Sequence, residues 1–260
     1  MLLFLFGLVP LFVAFMINVP MIFDRIESLY HKAHIQNLRA GFSDLDQHIA
    51  RRNEMARLLA KFPEPGMLME AADLQSGEVL QSARTGYIKW INQVLFDQLD
   101  VVRIMFLDES GQLDYWLERN NATGRLEPGK GAVGHQNREF IDAGMKLQPG
   151  GVLTGPIVLD RETENIEPNK VMQLGLISPV IYRAQPGDGE QVDKNGAVIV
   201  YLDVGGLASA YRGVYWAHAD GNYLGNENGE QGSTTVFDDF PGLDGIFSAG
   251  ELDLWEYKGQ

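Results

Sequence analysis

The first 23 residues, Met1 to Phe23, contain no charged side chain and consist mainly of Leu, Phe, Val, Ile and Met. No other feature constrains the chain as strongly. About 20 apolar residues in a helix cross the hydrocarbon core of a bilayer, so the run is long enough. Gly7, Pro10, Asn18 and Pro20 interrupt it, and such residues are tolerated in membrane helices. The rival is a secretory leader, which needs a basic start, a shorter apolar core and a small-residue cleavage site. Neither a basic start nor a convincing cleavage site occurs, so residues 1–23 are expected to form an uncleaved membrane helix. The flanking charge bears on orientation. No Lys or Arg precedes the run, whereas Arg25, Lys32 and Arg39 come after it. The positive-inside rule alone would keep the residues beyond the run on the cytoplasmic side.

The rest of the chain is long enough for one large domain or two small ones. With 45% hydrophobic residues in 260, the chain can bury a core, which excludes wholesale disorder. The absence of cysteine excludes disulfides, thiol catalysis, Cys-ligated zinc and iron–sulfur clusters. A net charge of -14 argues against a nucleic-acid partner, because a phosphate backbone demands a basic face. Charge is also unevenly spread. Residues 24–62 carry seven basic and five acidic side chains, and residues 213–260 carry one basic and nine acidic. The acidic tail reads as a solvated face.

Periodicity predicts the elements. Residues 24–62 read as one long helix, with Leu38, Phe42, Leu45, Ile49, Ala56 and Leu59 on a near-heptad stripe. Pro63-Glu-Pro-Gly66 breaks it. A second helix is expected over about 82–99, from Ile88, Ile91, Leu95 and Leu99. Val101–Leu107 and Leu113–Arg119 read as a strand pair around the turn Asp108-Glu-Ser-Gly111. A Gly- and Asn-rich loop runs to about Gln136. A short helix covers 137–147 with Asn137 as its N-cap. Three further strands are expected over about 152–159, 171–182 and 197–204, the last two joined by a polar turn-rich loop. The order strand–strand–helix–strand–strand–strand makes the fold α+β, with an antiparallel five-stranded sheet rather than alternating βαβ units. A link over 207–211 then leads to a second hairpin around Asp220-Gly221.

The segments VVRIMFLDESGQLDYWLER, NREFIDAGMKL, GGVLTGPIVLDRETENIEP, LGLISPVIY and GAVIVYLDVGGL, behind an apolar run and a long helix, resemble the double Cache family. These are tandem PAS-like extracytoplasmic sensor domains of bacterial histidine kinases, chemoreceptors and diguanylate cyclases. The nearest subgroup is the histidine-kinase-like one. Its motif positions are matched by Asn137, Arg138 and Phe140, then Leu159, Arg161, Glu162, Ile166, Glu167 and Pro168, then Ser178-Pro-Val180. The likeness covers residues 1–224. The segment HQNREFID lacks the R-x-W-Y-like pattern of amino-acid sensors, so an amino-acid ligand is not implied. The resemblance implies four parts. They are a membrane helix over 1–23, a stalk helix over 24–62, a membrane-distal PAS-like domain over 63–206 and part of a membrane-proximal one over 207–260. The expected second span and output domain do not occur before Gln260, so the chain reads as a truncated receptor. Its bulk would be periplasmic, anchored in the bacterial inner membrane, with a homodimer through the long helix.

No G-x-S-x-G, P-loop, H-E-x-x-H or G-x-G-x-x-G motif occurs, and no enzymatic activity or cofactor is expected. His31 and His34 share a helix face but lack a third ligand nearby, so surface histidines are the simpler reading. Asp188, Glu190, Asp193 and Asn195 miss the EF-hand spacing. The resemblance implies a small-molecule pocket between the sheet and its covering helix, lined by Tyr115, Arg119, Asn137, Arg138, Phe140 and Thr154. Tyr115 and Trp116 alternate faces, so only one can line it. Two arginines converging on one cavity would favour an organic anion by bidentate pairing. The competing reading of each Arg is a salt bridge with a neighbour such as Glu118 or Glu139. Two functions remain: the sensing region of a transmembrane receptor, or a stand-alone membrane-anchored binding or scaffold protein.

Overall fold

The computed structural model describes residues 2–73, 77–130, 137–159, 172–184, 192–205, 216–217, 221, 223–224 and 235–245, and of residues 2–11, 73, 158–159, 184, 216 and 223–224 the backbone alone. The Leu159–Pro168 motif beyond its first residue, the link over 207–211 and most of residues 206–260 lie outside these. The chain divides into two units, Met1–Ala50 and Arg51–Gln260.

The first unit is the greater part of one 60-residue helix, α1 (Leu2–Lys61). The apolar run and the predicted stalk are therefore continuous. Phe12, Phe15, Met16, Ile17, Met21, Ile22 and Phe23 are all exposed. Asn18 returns its Nδ2 to the Ala14 carbonyl at 2.7 Å, so its amide is satisfied within its own helix. Among the described residues no helix is long and apolar enough to cross a membrane. The side chains of residues 1–11, half of the predicted span, are not among those described.

The second unit starts with the last turns of α1, where Ala56, Leu59 and Ala60 are buried. Helix α1 stops before Pro63, but that proline opens α2 (Pro63–Asp73) instead of a loop. Proline lacks the N–H that a first-turn residue has no use for, and its φ suits a helix start. Helix α3 spans Gly77–Val94 and ends earlier than predicted. Tyr87 and Ile91 are its buried residues and Leu95, just past its end, continues the stripe, while Leu99 is exposed.

The strands are β1 (Val101–Leu107), β2 (Leu113–Arg119), β3 (Leu126–Pro128), β4 (Leu153–Leu159), β5 (Met172–Ala184) and β6 (Val192–Asp203). They form one sheet in the order β3-β2-β1-β6-β5-β4, every neighbour antiparallel. The sheet thus has six strands, not five. The extra strand, β3, lies in the stretch predicted as loop and pairs Leu117 with Pro128 and Arg119 with Leu126. All seven residues of β1 are buried, as a central strand covered on both faces requires. Pro156 lies on edge strand β4, where its missing donor costs no ladder bond, and the register shifts there. Between β1 and β2, Asp108 Oδ1 accepts from Ser110 N and Gln112 N, and Gly111 takes φ +71°.

Helices α2 and α3 cover one face. Helix α4 (Arg138–Met145) covers the other, capped as predicted by Asn137, whose side chain accepts from Phe140 N at 3.2 Å. Beyond β6, β7 (Trp216–Ala217) pairs with β8 (Tyr223–Leu224), and a short helix α5 (Val236–Asp239) comes after them.

Candidate functional site

Successive strand residues point to opposite faces, so register assigns each side chain to a layer. Phe106 pairs with Tyr115 and Val198, and Ile104 with Leu117 and Val200. These face α2 and α3, where Tyr87 meets the Phe106 ring edge-on at 5.0 Å. Met105, Leu107, Trp116, Ile177, Ala197 and Ile199 point the other way and close an apolar cluster with Phe140 and Ile141 of α4. Glycine lets α4 and its aromatic residue come close. A Cβ on Gly144 would strike Ile177 at 2.4 Å, and one on Gly155 would strike the Phe140 ring at 2.8 Å.

On this α4-covered face, towards the β3 end of β2, the layer turns polar. Arg103 of β1 is 4% exposed and pairs with Glu118 of β2 at 3.2 Å. Its guanidinium carbon lies 5.3 Å from the Trp116 ring and 5.9 Å from the Tyr201 ring. Gln173 of β5 and Asp203 of β6, direct register partners, are buried on the same face of the sheet. A buried cation flanked by two aromatic rings and paired with one carboxylate, with further buried polar groups on the same face, can orient a small polar molecule while an apolar part rests on the rings.

The six residues picked from the sequence are not gathered at this place. Only Phe140 reaches the α4-covered cluster. Tyr115 lies under the helices, stacked 6.0 Å from Phe106, with the Arg84 guanidinium 4.7 Å from its ring centre. Burial pushes its hydroxyl pKa up, and Arg84 opposes that. Thr154 is exposed and bonds Asn53 of α1 at 3.3 Å. Asn137 is occupied as the cap of α4. Arg138 is exposed, paired with Asp142 at 3.0 Å and bonded to the Ser110 carbonyl. Arg119 sits at the β3 end of β2, next to Glu118 in sequence but on the opposite face of the strand, and spends its guanidinium on the carbonyls of Val101, Gly124 and Gln98 at 2.6, 2.6 and 2.8 Å. The two arginines therefore do not converge. Arg119 ends β2 and is held by backbone carbonyls, whereas Arg138 opens α4 beside the β1–β2 turn and is held by a surface carboxylate. The residue that sequence reasoning passed over, Arg103, had a signal: it is the one charge in the apolar run Val101–Leu107.

No family model and no curated protein matches the sequence. Solved structures do match. The extracellular domain described as belonging to the histidine kinase vpHK1S-Z8 aligns with TM-score 0.62 and 16% identity, over 88% of this chain and 85% of that one. A domain of a sensory box/GGDEF family protein from Vibrio parahaemolyticus aligns with TM-score 0.60 and 16% identity, over 88% and 86%. A methyl-accepting chemotaxis protein aligns at 0.50 and 14%, over 90% and 89%. The chain shares its fold with these sensor domains of signalling receptors, the kind of protein the sequence resemblance implied.

Proposed function

We propose that this chain is the extracytoplasmic sensing region of a bacterial transmembrane signalling receptor of the histidine kinase, diguanylate cyclase or chemoreceptor type. Residues 1–23 anchor it in the inner membrane, the bulk is periplasmic, and α1 pairs two copies. The region itself is not an enzyme; it binds a small polar organic molecule on the α4-covered face. The observation that carries the reading is Arg103, a cation held almost out of solvent between Trp116 and Tyr201 in a fold shared with receptor sensor domains. With Arg119 and Arg138 placed elsewhere, any preference for an anionic ligand rests on Arg103, and Glu118 and Asp203 favour a ligand that also carries a donor.

Two experiments test this. Alkaline phosphatase fused after Gly150 should be active; an inactive fusion beside an active cytoplasmic reporter would overturn the orientation. For the site, the full chain in detergent should gain thermal stability from a member of a metabolite panel. Ligand at 100 times its dissociation constant adds roughly 2.7 kcal/mol. Arg103→Lys keeps the charge but loses the planar fork that stacks between rings, and should weaken binding about tenfold or more. Binding that survives Arg103→Lys unchanged would place the ligand elsewhere.

A further inference from the structure

The face beneath α2 and α3 is mostly hydrocarbon: Leu68, Ile91, Leu95, Ile104, Phe106 and Leu117 are all at most 2% exposed. Four polar atoms are buried there and lack a hydrogen-bond partner among the described residues: Glu64 Oε2, Arg84 Nε, Tyr87 OH and Tyr115 OH. Both tyrosines are more than nine-tenths buried, at 3% and 8% exposure. The four groups come from three elements, α2, α3 and β2. Three of them lie close together: Tyr87 and Tyr115 flank the Phe106 ring at 5.0 and 6.0 Å, and Arg84 stands 4.7 Å over the Tyr115 ring. Burial raises the pKa of the Tyr87 phenol, and the nearby Glu64 and Tyr115 raise it further.

Protein interiors do not leave such atoms dry. Folded domains hold about one buried water per 27 residues, each making about three hydrogen bonds to otherwise unpaired groups. The inventory here suits that role. A carboxylate oxygen only accepts, an arginine Nε only donates, and a phenol does both. One or two waters can accept from Arg84, donate to Glu64 and bridge the phenols.

We propose that ordered water occupies a built site between the sheet and helices α2 and α3, bound by Glu64, Arg84, Tyr87 and Tyr115. It lies on the opposite face of β2 from Trp116, so it is separate from the α4-covered site. It joins both helices to β2 through polar contacts in an otherwise apolar layer, and it explains why Tyr rather than Phe stands at two fully covered positions.

The test combines a high-resolution crystal structure of the full chain with urea unfolding of Tyr87→Phe and Tyr115→Phe. The structure should show water within hydrogen-bond distance of at least two of the four atoms. Each substitution should lower the folding equilibrium constant about fivefold, the net worth of one hydrogen bond. A direct Glu64–phenol bond with no water between them would overturn the proposal. So would an unchanged or increased folding constant in either variant, because removing a dry, unpaired hydroxyl stabilises a core.

Discussion

Arg119→Ala is expected to cost about 3–4 kcal/mol of folding stability, with or without a ligand. The guanidinium reaches four carbonyls: Val101 at the start of β1, Gly124 in the β2–β3 turn, Gln98, and more distantly Leu95 at 3.5 Å. Hydrogen bonds to a charged group contribute about 1.5–3 kcal/mol each, and a buried carbonyl left without its donor adds a desolvation cost. Losing three good bonds at once would exceed the expected value if the contributions added, but water entering the truncated site recovers part. Burial lowers the Arg119 pKa, and Asp100 opposes that; the group remains charged across ordinary pH because an arginine starts so high. Arg119→Lys should recover little, since one ammonium cannot reach carbonyls spread over a fork. Urea unfolding of the full chain measures both. If Arg119→Ala changes stability by less than about 0.5 kcal/mol, as an ordinary surface substitution would, the structural role is wrong and a binding role is again open.

Arg52→Ala should cost about 2–3 kcal/mol through the neighbouring contact. Arg52 of α1 grips Asp100 with two bonds, Nε to Oδ2 at 2.6 Å and Nη2 to Oδ1 at 2.8 Å, and Nη1 also bonds Gln98 Oε1. Both side chains are largely covered, at 15% and 16% exposure, so solvent screens the pair little. Breaking a fully buried pair costs about 3–5 kcal/mol, and this one is less enclosed. Asp100 also accepts the Asp203 N–H at 2.7 Å through its carbonyl, so the corner before β1 ties α1 to the end of β6. Arg52 and Arg119 both bond Gln98. The double variant should therefore lose less than the sum of the single losses, with a coupling of about 0.5–3 kcal/mol. Strict additivity in urea unfolding would show that the two clamps act independently.

Much of the architecture is local. β1, β2 and the turn between them match their predicted bounds because a compact apolar run, a turn with Asp and Gly, and a second apolar run are written within 19 residues. The cap of α4 is equally local, since Asn137 needs only the N–H three residues on. Two elements were hidden for opposite reasons. Helix α2 begins with Pro-Glu-Pro-Gly, which reads as a breaker until the helix is seen to start on the proline. Strand β3 has three residues, too few to show a period, and exists because β2 offers it an edge to pair with.

For the site, residue patterning and tertiary packing divide differently. Alternation along β2 shows that Tyr115 and Trp116 lie on opposite faces, but no local rule says which face α4 will cover. That depends on the close approach of Gly144 to Ile177, a contact between residues 33 apart. The resemblance drew attention to Arg119 and Arg138, yet an arginine at a strand end can as easily cap a helix end as meet a ligand. The outcome was set by the Leu95–Gln98 carbonyls folding back beneath it. Arg103 is the reverse case. Its charge inside the run Val101–Leu107 is plain in the sequence, but its neighbours Glu118, Trp116 and Tyr201 come from two other strands. Chain composition and spacing determined five of the six sheet strands, helices α1, α3 and α4 and the apolar start. Long-range register decided which side chains meet, because a one-residue change of register moves every side chain of a strand to the other face.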